Sequence, residues 1–405
     1  MVVVRSFVAV GESTQQTLSN LGENIDRAPS LRASLVCLFY DSRHDDASIH
    51  AFVQRRFPGA AILGGTSCSG VMSETGLAGS GSIGLLIVDD PDGDYGTAAV
   101  ALEGNATDCA EQALHAALEN AGCQGELPEL VWIYQAPGRE EAVIQGLRRV
   151  VGDRCPIIGG SSADNDVAGN WRQFGPEGPI SGGLVVGVLF SSGGIGFAFQ
   201  GGYEPSGESG IVTRVGSSQR EESEKRGREI ISIDGEPAAE VYNRWTGGVL
   251  TEKLETGGNI LGDTSMFPVA IDAGETESIT NYLLIHPDRI LPGGTLSTFA
   301  EIEEGTRLFS MRGNKPSLVD RAGKVASAAA ATLPGGPDSL AGGLVVYCAG
   351  CMLAVGDEMP KVATAVSESF KGKPFIGCFT FGEQGAMLGR NAHGNLMISA
   401  IAFAK

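Results

Sequence analysis

Three segments of this chain run from a short apolar stretch into glycine and then into small hydroxyl- or thiol-bearing residues. They are Pro58 to Gly70 (PGAAILGGTSCSG), Pro156 to Asp166 (PIIGGSSADND) and Lys373 to Gly385 (KPFIGCFTFGEQG). A strand that ends in a glycine-rich polar turn constrains its surroundings, because glycine marks a tight turn or a close backbone approach. The elements predicted around the three segments follow one order. In the first copy, strands are predicted at 2–10, 33–40, 60–65 and 82–88. Helices are predicted at 12–25, with Leu18, Leu21 and Ile25 on one face, and at 46–57, with Ile49, Phe52, Val53 and Phe57. The run ASLVCLFY (33–40) is apolar throughout, the mark of a strand buried on both faces. The second copy predicts strands at 96–102, 130–135, 156–160 and 180–190, with helices at 107–121 and 139–151. The third predicts strands at 306–311, 343–348, 374–380 and 395–403, with helices at 318–331 and 357–370.

The repeat is therefore a β-α-β-α-β-β unit. The spacing of the first two copies, roughly 95 residues, is too long for a solenoid and points to duplication of a subdomain. Tight turns between the closing strands predict antiparallel pairs, so the sheets are expected to be mixed. The expected fold class is α/β with mixed sheets flanked by helices, in two domains, 1–203 and 204–405. Between the second and third copies, strands are predicted at 195–203, 211–216, 229–233, 281–285 and 297–301. A helix is predicted at 238–245, and a charged loop at 221–228 is expected to lie in solvent.

Length and charge narrow the function. A chain of 405 residues is long for a single domain. A net charge of −19 opposes docking on nucleic acid or on anionic lipid, both of which need clustered Lys and Arg. No apolar run approaches the roughly 20 residues of a membrane span. The apolar N-terminus is interrupted by Arg5 and lacks a cleavage-site pattern, so no signal peptide is expected. Eight cysteines, mostly within apolar segments, do not resemble a disulfide framework. The expectation is a reduced, cytoplasmic protein.

The C-terminal half carries IDGEPAAEVYNRW (233–245), FPVAI (267–271), VVYCAG (345–350) and PFIGCFTFGEQG (374–385), in that order. This series resembles the FIST domain family, and GGTSCSG following LVCLFYD resembles its N-terminal module. The resemblance spans nearly the whole chain as a FIST-N plus FIST-C pair. It implies a stand-alone, non-enzymatic sensory protein of signal transduction that binds a small molecule, such as an amino acid or related metabolite. It also implies a signalling partner, while homo-oligomerisation is left open. Two positions depart from the family pattern: Cys351 stands where Arg is usual, and Phe379 where Tyr is usual.

The residues that could carry chemistry gather at strand ends. Cys348-Ala349-Gly350-Cys351 is a C-x-x-C after a buried strand. A redox pair would place it at a helix N-terminus, but residues 352–356 are expected to intervene before the helix. Zinc would need a second pair, and Cys378 alone is near. Thiol redox or metal binding at Cys348 and Cys351 is thus one alternative function, and a scaffold without a small ligand is another. Glu383, flanked by Gly382 and Gln384-Gly385, is a carboxylate suited to accept a hydrogen bond from a ligand, and Thr380 lies in the same turn. His393 follows that turn closely enough to approach a pocket. The expected ligand site is Cys348, Ala349, Gly350, Cys351, Thr380, Gly382, Glu383 and His393, with Glu383 opposite Cys348.

Thr66, Ser67, Ser161 and Ser162 form a secondary candidate. GGTSCSG and GGSSADN lack the lysine of a phosphate loop and the strand-turn-helix of a nucleophile elbow, so the hydroxyls are expected to satisfy turn backbone. His44 and His50, six apart beside Asp41, Asp45 and Asp46, do not share a helix face and are expected in a solvated loop and helix start. Trp171, in the glycine-rich loop 166–178, is expected as a lid or a packed anchor. No metal and no cofactor are expected.

Overall fold

The computed structural model describes residues 1–29, 32–216 and 227–405. Its helices are α1 (Thr14–Arg27), α2 (Asp46–Arg56), α3 (Ala106–Ala121), α4 (Glu140–Val151), α5 (Ala238–Trp245), α6 (Leu261–Thr264), α7 (Lys315–Ala331), α8 (Ala349–Val355) and α9 (Met359–Ser369). Their ends follow local chemistry. Ser13, Asp45 and Asn105 each accept a backbone N–H in the first turn of α1, α2 and α3, and Asn314 forms a capping box with Ser317 on α7. Gly122, at φ 75°, ends α3 in the left-handed region.

Three sheets share one strand order. The first runs Val3–Val10, Ser82–Asp89, Leu35–Tyr40, Ala61–Thr66. The second runs Asp94–Ala101, Gly183–Phe190, Leu130–Gln135, Ile157–Ser161. The third runs Ile195–Gly201, Met397–Ala404, Leu340–Cys348, Phe375–Thr380. In each, only the last two strands are parallel to one another, so the sheets are mixed as expected. Each sheet is completed by a hairpin from another unit. Val71–Ser73 and Gly76–Ala78 of the first unit join the third sheet. Gly382–Met387 and Arg390–Gly394 of the third unit join the second. Gln173–Gly175 and Gly178–Ile180 of the second unit join the first. The exchange closes a ring.

At the centre of that ring three backbone hydrogen bonds repeat the relation. The amide of Cys68 donates to the carbonyl of Phe379 (3.1 Å), that of Ala163 to Thr66 (3.3 Å), and that of Phe381 to Ser161 (3.0 Å). The inner faces of all three sheets form one core, in which Phe39 meets Trp132 and Tyr134 edge-on and Val346 and Phe403 close the third side. Burial of each such side chain stabilises the fold by about 1.5–3 kcal/mol. The outer faces are covered by α1 and α2, by α3 and α4, and by α7 and α9. The layering follows from apolar strands that need cover on both faces.

The third unit departs from the sequence reading at its first strand. The segment expected there, Arg307–Arg312, instead pairs with Glu204–Val215 and Val269–Thr276 in a separate nine-stranded sheet. The role belongs to Ile195–Gly201, which lies against the closing strand Met397–Ala404 as Val3–Val10 lies against Ser82–Asp89. The nine-stranded sheet is thus inserted between the first strand of the unit and α7. Both candidate strands are short and partly apolar, and pattern alone does not say which one the closing strand will pair with. Of the charged loop expected at 221–228, residues 217–226 lie outside the described residues. Arg228 is buried, not solvated.

Among the described residues, no helix is long and apolar enough to cross a membrane.

Candidate functional site

The strand ends and turns of all three units converge on one side of the ring and enclose a cavity of about 300 Å³. The first unit contributes Cys68 and Ser69, the second Asp164 and Asn165, and the third Phe381 with Cys348, Ala349 and Gly350. The entry to α4 adds Gly138 and Glu140. The inserted sheet and its loops close the far wall with Arg228, Leu261, His286 and Phe299. The wall is mostly apolar with a few convergent polar groups, the character of a small-molecule site.

The turns are held in place by their own polar groups. Asp164 is fully buried and its Oδ2 accepts from the amides of Ala168 (3.0 Å) and Asn170 (2.7 Å), while its Oδ1 has no hydrogen-bond partner. Asn165 accepts from the amide of Ser69 (2.6 Å) and donates to Asp41 (3.0 Å), which ties the first turn to the second. Trp171 stands edge-on to Phe381, centroids 5.9 Å apart, and so combines the roles of anchor and cavity wall. Val167 and Leu353 line the mouth and are exposed. Val167 has φ 57°, costly for a β-branched residue and the kind of strain that collects at binding sites. His286 is buried with a ring nitrogen 2.9 Å from the Thr264 hydroxyl. Burial lowers its pKa to about 4, so it is neutral at pH 7.

Beneath one wall lies a buried ionic network. Arg228 Nη2 donates to Glu140 (2.9 Å) and to Glu141 (2.6 Å). Glu140 also accepts from the Gly138 amide (3.0 Å) and the Ser161 hydroxyl (2.8 Å). Glu141 lies 2.9 Å from His393 Nδ1 and accepts from the Glu301 amide (3.1 Å). Burial opposes ionisation of both glutamates, but the charges of His393 and Arg228 overcome it and hold the carboxyls below their ordinary range. Burial likewise opposes a charge on His393, and the two glutamates overcome it and raise its pKa. Glu140, Glu141 and His393 offer ligand atoms within 4.8 Å of one another, a donor set that suits a metal ion. Arg228 already supplies a cation to both carboxylates.

The expected site residues separate into two layers. Cys348, Ala349 and Gly350 line the cavity. Thr380, Gly382 and Glu383 lie behind the wall, fully or almost fully buried. Glu383 accepts from the Thr380 hydroxyl (2.8 Å) and the Met397 amide (3.1 Å) and meets the Cys348 thiol. Burial, and then Cys348, push its pKa well above the carboxylate range. Cys351 is buried away from the cavity, with its sulfur 3.5 Å from both the Tyr203 hydroxyl and the Leu396 carbonyl. Phe379 packs edge-on against Tyr347 in the core. His393 is off the cavity wall, within the ionic network.

The helix expected after residue 356 is α9, and the residues expected to intervene before it form the short helix α8, with Cys348 as its N-cap. Burial nevertheless drives the Cys348 thiol far above its ordinary range, against the needs of thiolate chemistry. Thr66, Ser67, Ser161 and Ser162 serve the backbone and the network. Thr66 accepts from the Arg172 amide (2.9 Å), Ser67 from the Phe379 amide (2.8 Å), and Ser162 donates to the Gln135 carbonyl (3.1 Å). Their neighbours Cys68, Ser69, Asp164 and Asn165 reach the cavity instead. His44 and Asp41 are buried rather than solvated. His44 bonds the Gly81 carbonyl (3.0 Å), and Asp41 accepts from the Gly81 amide (2.8 Å). Arg228, Glu140 and His286 were not anticipated. A charged residue in a polar loop, a helix-start glutamate and a lone histidine give no local signal of burial; only a buried partner at long sequence distance does.

The fold is thus a set of interlocked α/β units around a cavity with a mostly apolar wall. The FIST N domain model matches residues 34–236 and the FIST C domain model residues 238–386. The chain belongs to the FIST family, whose domains are sensory domains implicated in signal transduction. Comparison with curated proteins found no match. Among solved structures the chain is similar to cyanuric acid hydrolase from A. caulinodans, at 9% identity over 100% of both chains and a TM-score of 0.36.

Proposed function

We propose that the chain is a small-molecule sensor whose ligand, an amino acid or related metabolite, occupies the central cavity, and that a partner protein reads the occupied state. It acts by binding and not by catalysis, in the cytoplasm. The observation that carries this reading is the lining of the cavity. It combines aromatic side chains (Trp171, Phe381, Phe299) with a guanidinium, Arg228, and a carboxylate with an unpaired oxygen, Asp164. A zwitterion needs an anion partner and a cation partner, and its side chain needs an apolar surface. The guanidinium also supplies what the absent Arg at position 351 does not. Binding would favour one arrangement of the surrounding turns over another, which is the minimum a sensor requires.

Isothermal titration of the folded protein against the proteinogenic amino acids and their close metabolites tests the reading, with Trp171 fluorescence as a local reporter. A saturable heat accompanied by a Trp171 signal that is lost in Trp171→Phe is expected. Turnover of a substrate, or no binding across the panel, would overturn it.

A further inference from the structure

The ionic network has a cavity on each side. Arg228 and Glu140 face the central cavity, while Glu141 and His393 face a second one of about 250 Å³, walled in part by Ile144, Ile271 and Leu283. The network is also where the inserted sheet is fastened to the repeated units. Glu140 and Glu141 belong to the first turn of α4, and His393 to the hairpin lent by the third unit. Arg228, one residue before the strand Glu229–Ile233, and the Glu301 amide belong to the inserted part. Two adjacent glutamates therefore hold the inserted sheet at two points.

Arg228 is shared between that fastening and the cavity. Its Nη2 serves both glutamates, whereas its buried Nε has no hydrogen-bond partner. A guanidinium prefers to meet a carboxylate through two parallel N–H donors, and here a donor is left over. We infer that a ligand carboxylate in the central cavity competes with Glu140 and Glu141 for Arg228 and so loosens the inserted sheet from α4. This rests on the cavity being a ligand site. The ligand takes the fork through Nε. Glu140 keeps Gly138 and Ser161, Glu141 keeps His393, and the inserted sheet loses the stronger of its two fastenings. Removing one partner of a buried charge pair is costly. The remaining partners of both glutamates are what make the exchange affordable. The signal is thus a change in docking of the inserted sheet, carried by a side chain that touches both places.

Hydrogen exchange of the full chain tests this, read on peptides covering 227–233 and 296–302. The probes are 3-phenylpropanoate and its uncharged counterpart 3-phenylpropanamide, with Trp171 fluorescence as an independent report of cavity occupancy. The carboxylate is expected to speed exchange in those peptides roughly tenfold and the amide to leave it unchanged. Glu141→Gln, without any probe, is expected to speed it in the same peptides. Should that variant not fold, Arg228→Lys is read the same way. A carboxylate that changes Trp171 fluorescence but not the exchange overturns the coupling and leaves the cavity reading intact. An unchanged exchange in a folded Glu141→Gln overturns the coupling whether or not a probe binds. Failure of both probes to alter fluorescence, with exchange speeded in Glu141→Gln, upholds the fastening and overturns the ligand's part in it.

Discussion

The carboxyl of Glu383 meets the thiol of Cys348 at the end of the third unit's parallel strand pair, and neither group is solvated beyond a small edge of Cys348. Both sequence segments arrive there because Cys348 and Thr380 are register partners and Glu383 follows Thr380 by three residues. With its pKa raised first by burial and then by Cys348, Glu383 is a neutral acid at pH values where an exposed glutamate is ionised.

A raised carboxyl pKa fixes the sign of a pH effect. The folded state holds the proton more tightly than the unfolded state, so the contribution of Glu383 is fully present below the unfolded pKa, near 4.5, and is lost as pH rises through the folded value. Urea unfolding of wild type and Glu383→Gln across pH 4 to 8 should therefore show the variant gaining on wild type as pH rises. Glu383→Ala, which strands the Met397 amide, should cost about 1–3 kcal/mol at pH 4 and less as pH rises. Iodoacetamide should label Cys348 in the folded protein more slowly than free cysteine, since burial raises its pKa.

His393 gives a second pH effect of the same sign. Its pKa is raised by Glu140 and Glu141 against the effect of burial. Its contribution is full below the unfolded value, near 6.5, and disappears as pH climbs through the raised folded value. Thermal midpoints measured from pH 6 to 9 should fall more steeply for wild type than for His393→Gln. Parallel curves would remove the pair with Glu141 as the cause.

Arg228→Leu removes the cation from two buried carboxylates. Breaking such a pair by deleting one member costs about 3–5 kcal/mol, and the loss should show in the urea midpoint. Glu140→Gln added to Arg228→Leu should recover part of it, because one of the stranded charges is gone. A double variant no more stable than the single would show that the cost lies in packing of the arginine stem.

Sequence pattern carried the repeated unit well because each copy buries its strands on both faces, which leaves a continuous apolar run that pattern detects. It did not reveal the exchange of hairpins. Val71–Ser73 and Gly382–Met387 are short, and their partners lie in other units, so nothing local marks where they pair. The same limit divides the site. Cys348 and Thr380 share a register and Glu383 follows three residues later, so their proximity was legible from strand order, and Ala349 and Gly350 came with them. Arg228 lies in a charged stretch that reads as solvent-facing. Only its glutamates, 87 and 88 residues away in sequence, explain its burial. Asp164 and Asn165 sit within the segment GGSSADN, but nothing local separates them from the hydroxyls before them, which serve the backbone and the ionic network.

The glycine that opens each repeated turn makes the sharpest test of the shared architecture. Gly64, Gly159 and Gly377 occupy equivalent places, facing Leu38, Ile133 and Val345 on the parallel neighbour strand. At Gly64, φ is 146° and a Cβ would lie 1.7 Å from the Leu38 carbonyl oxygen. At Gly159 a Cβ would lie 1.9 Å from the Ile133 carbonyl oxygen. Backbone cannot move aside in a strand paired on both edges. At Gly377 the clash, at 2.5 Å, is with the flexible side chain of Met72 on the visiting hairpin. Alanine at 64 or 159 should therefore cost more than about 4 kcal/mol or prevent folding, a range reached only through such strain or overpacking. Alanine at 377 should cost roughly 1–3 kcal/mol, with Met72→Ala in the same chain relieving the clash. Gly262, which has nothing within 4 Å and an ordinary φ, is the control, and alanine there should be neutral or stabilising by about 0.4–1 kcal/mol. Urea midpoints of the four variants rank them directly. Equal losses at 64 and 377 would mean that the first unit's hairpin is held as rigidly as the strands of the third sheet that it joins.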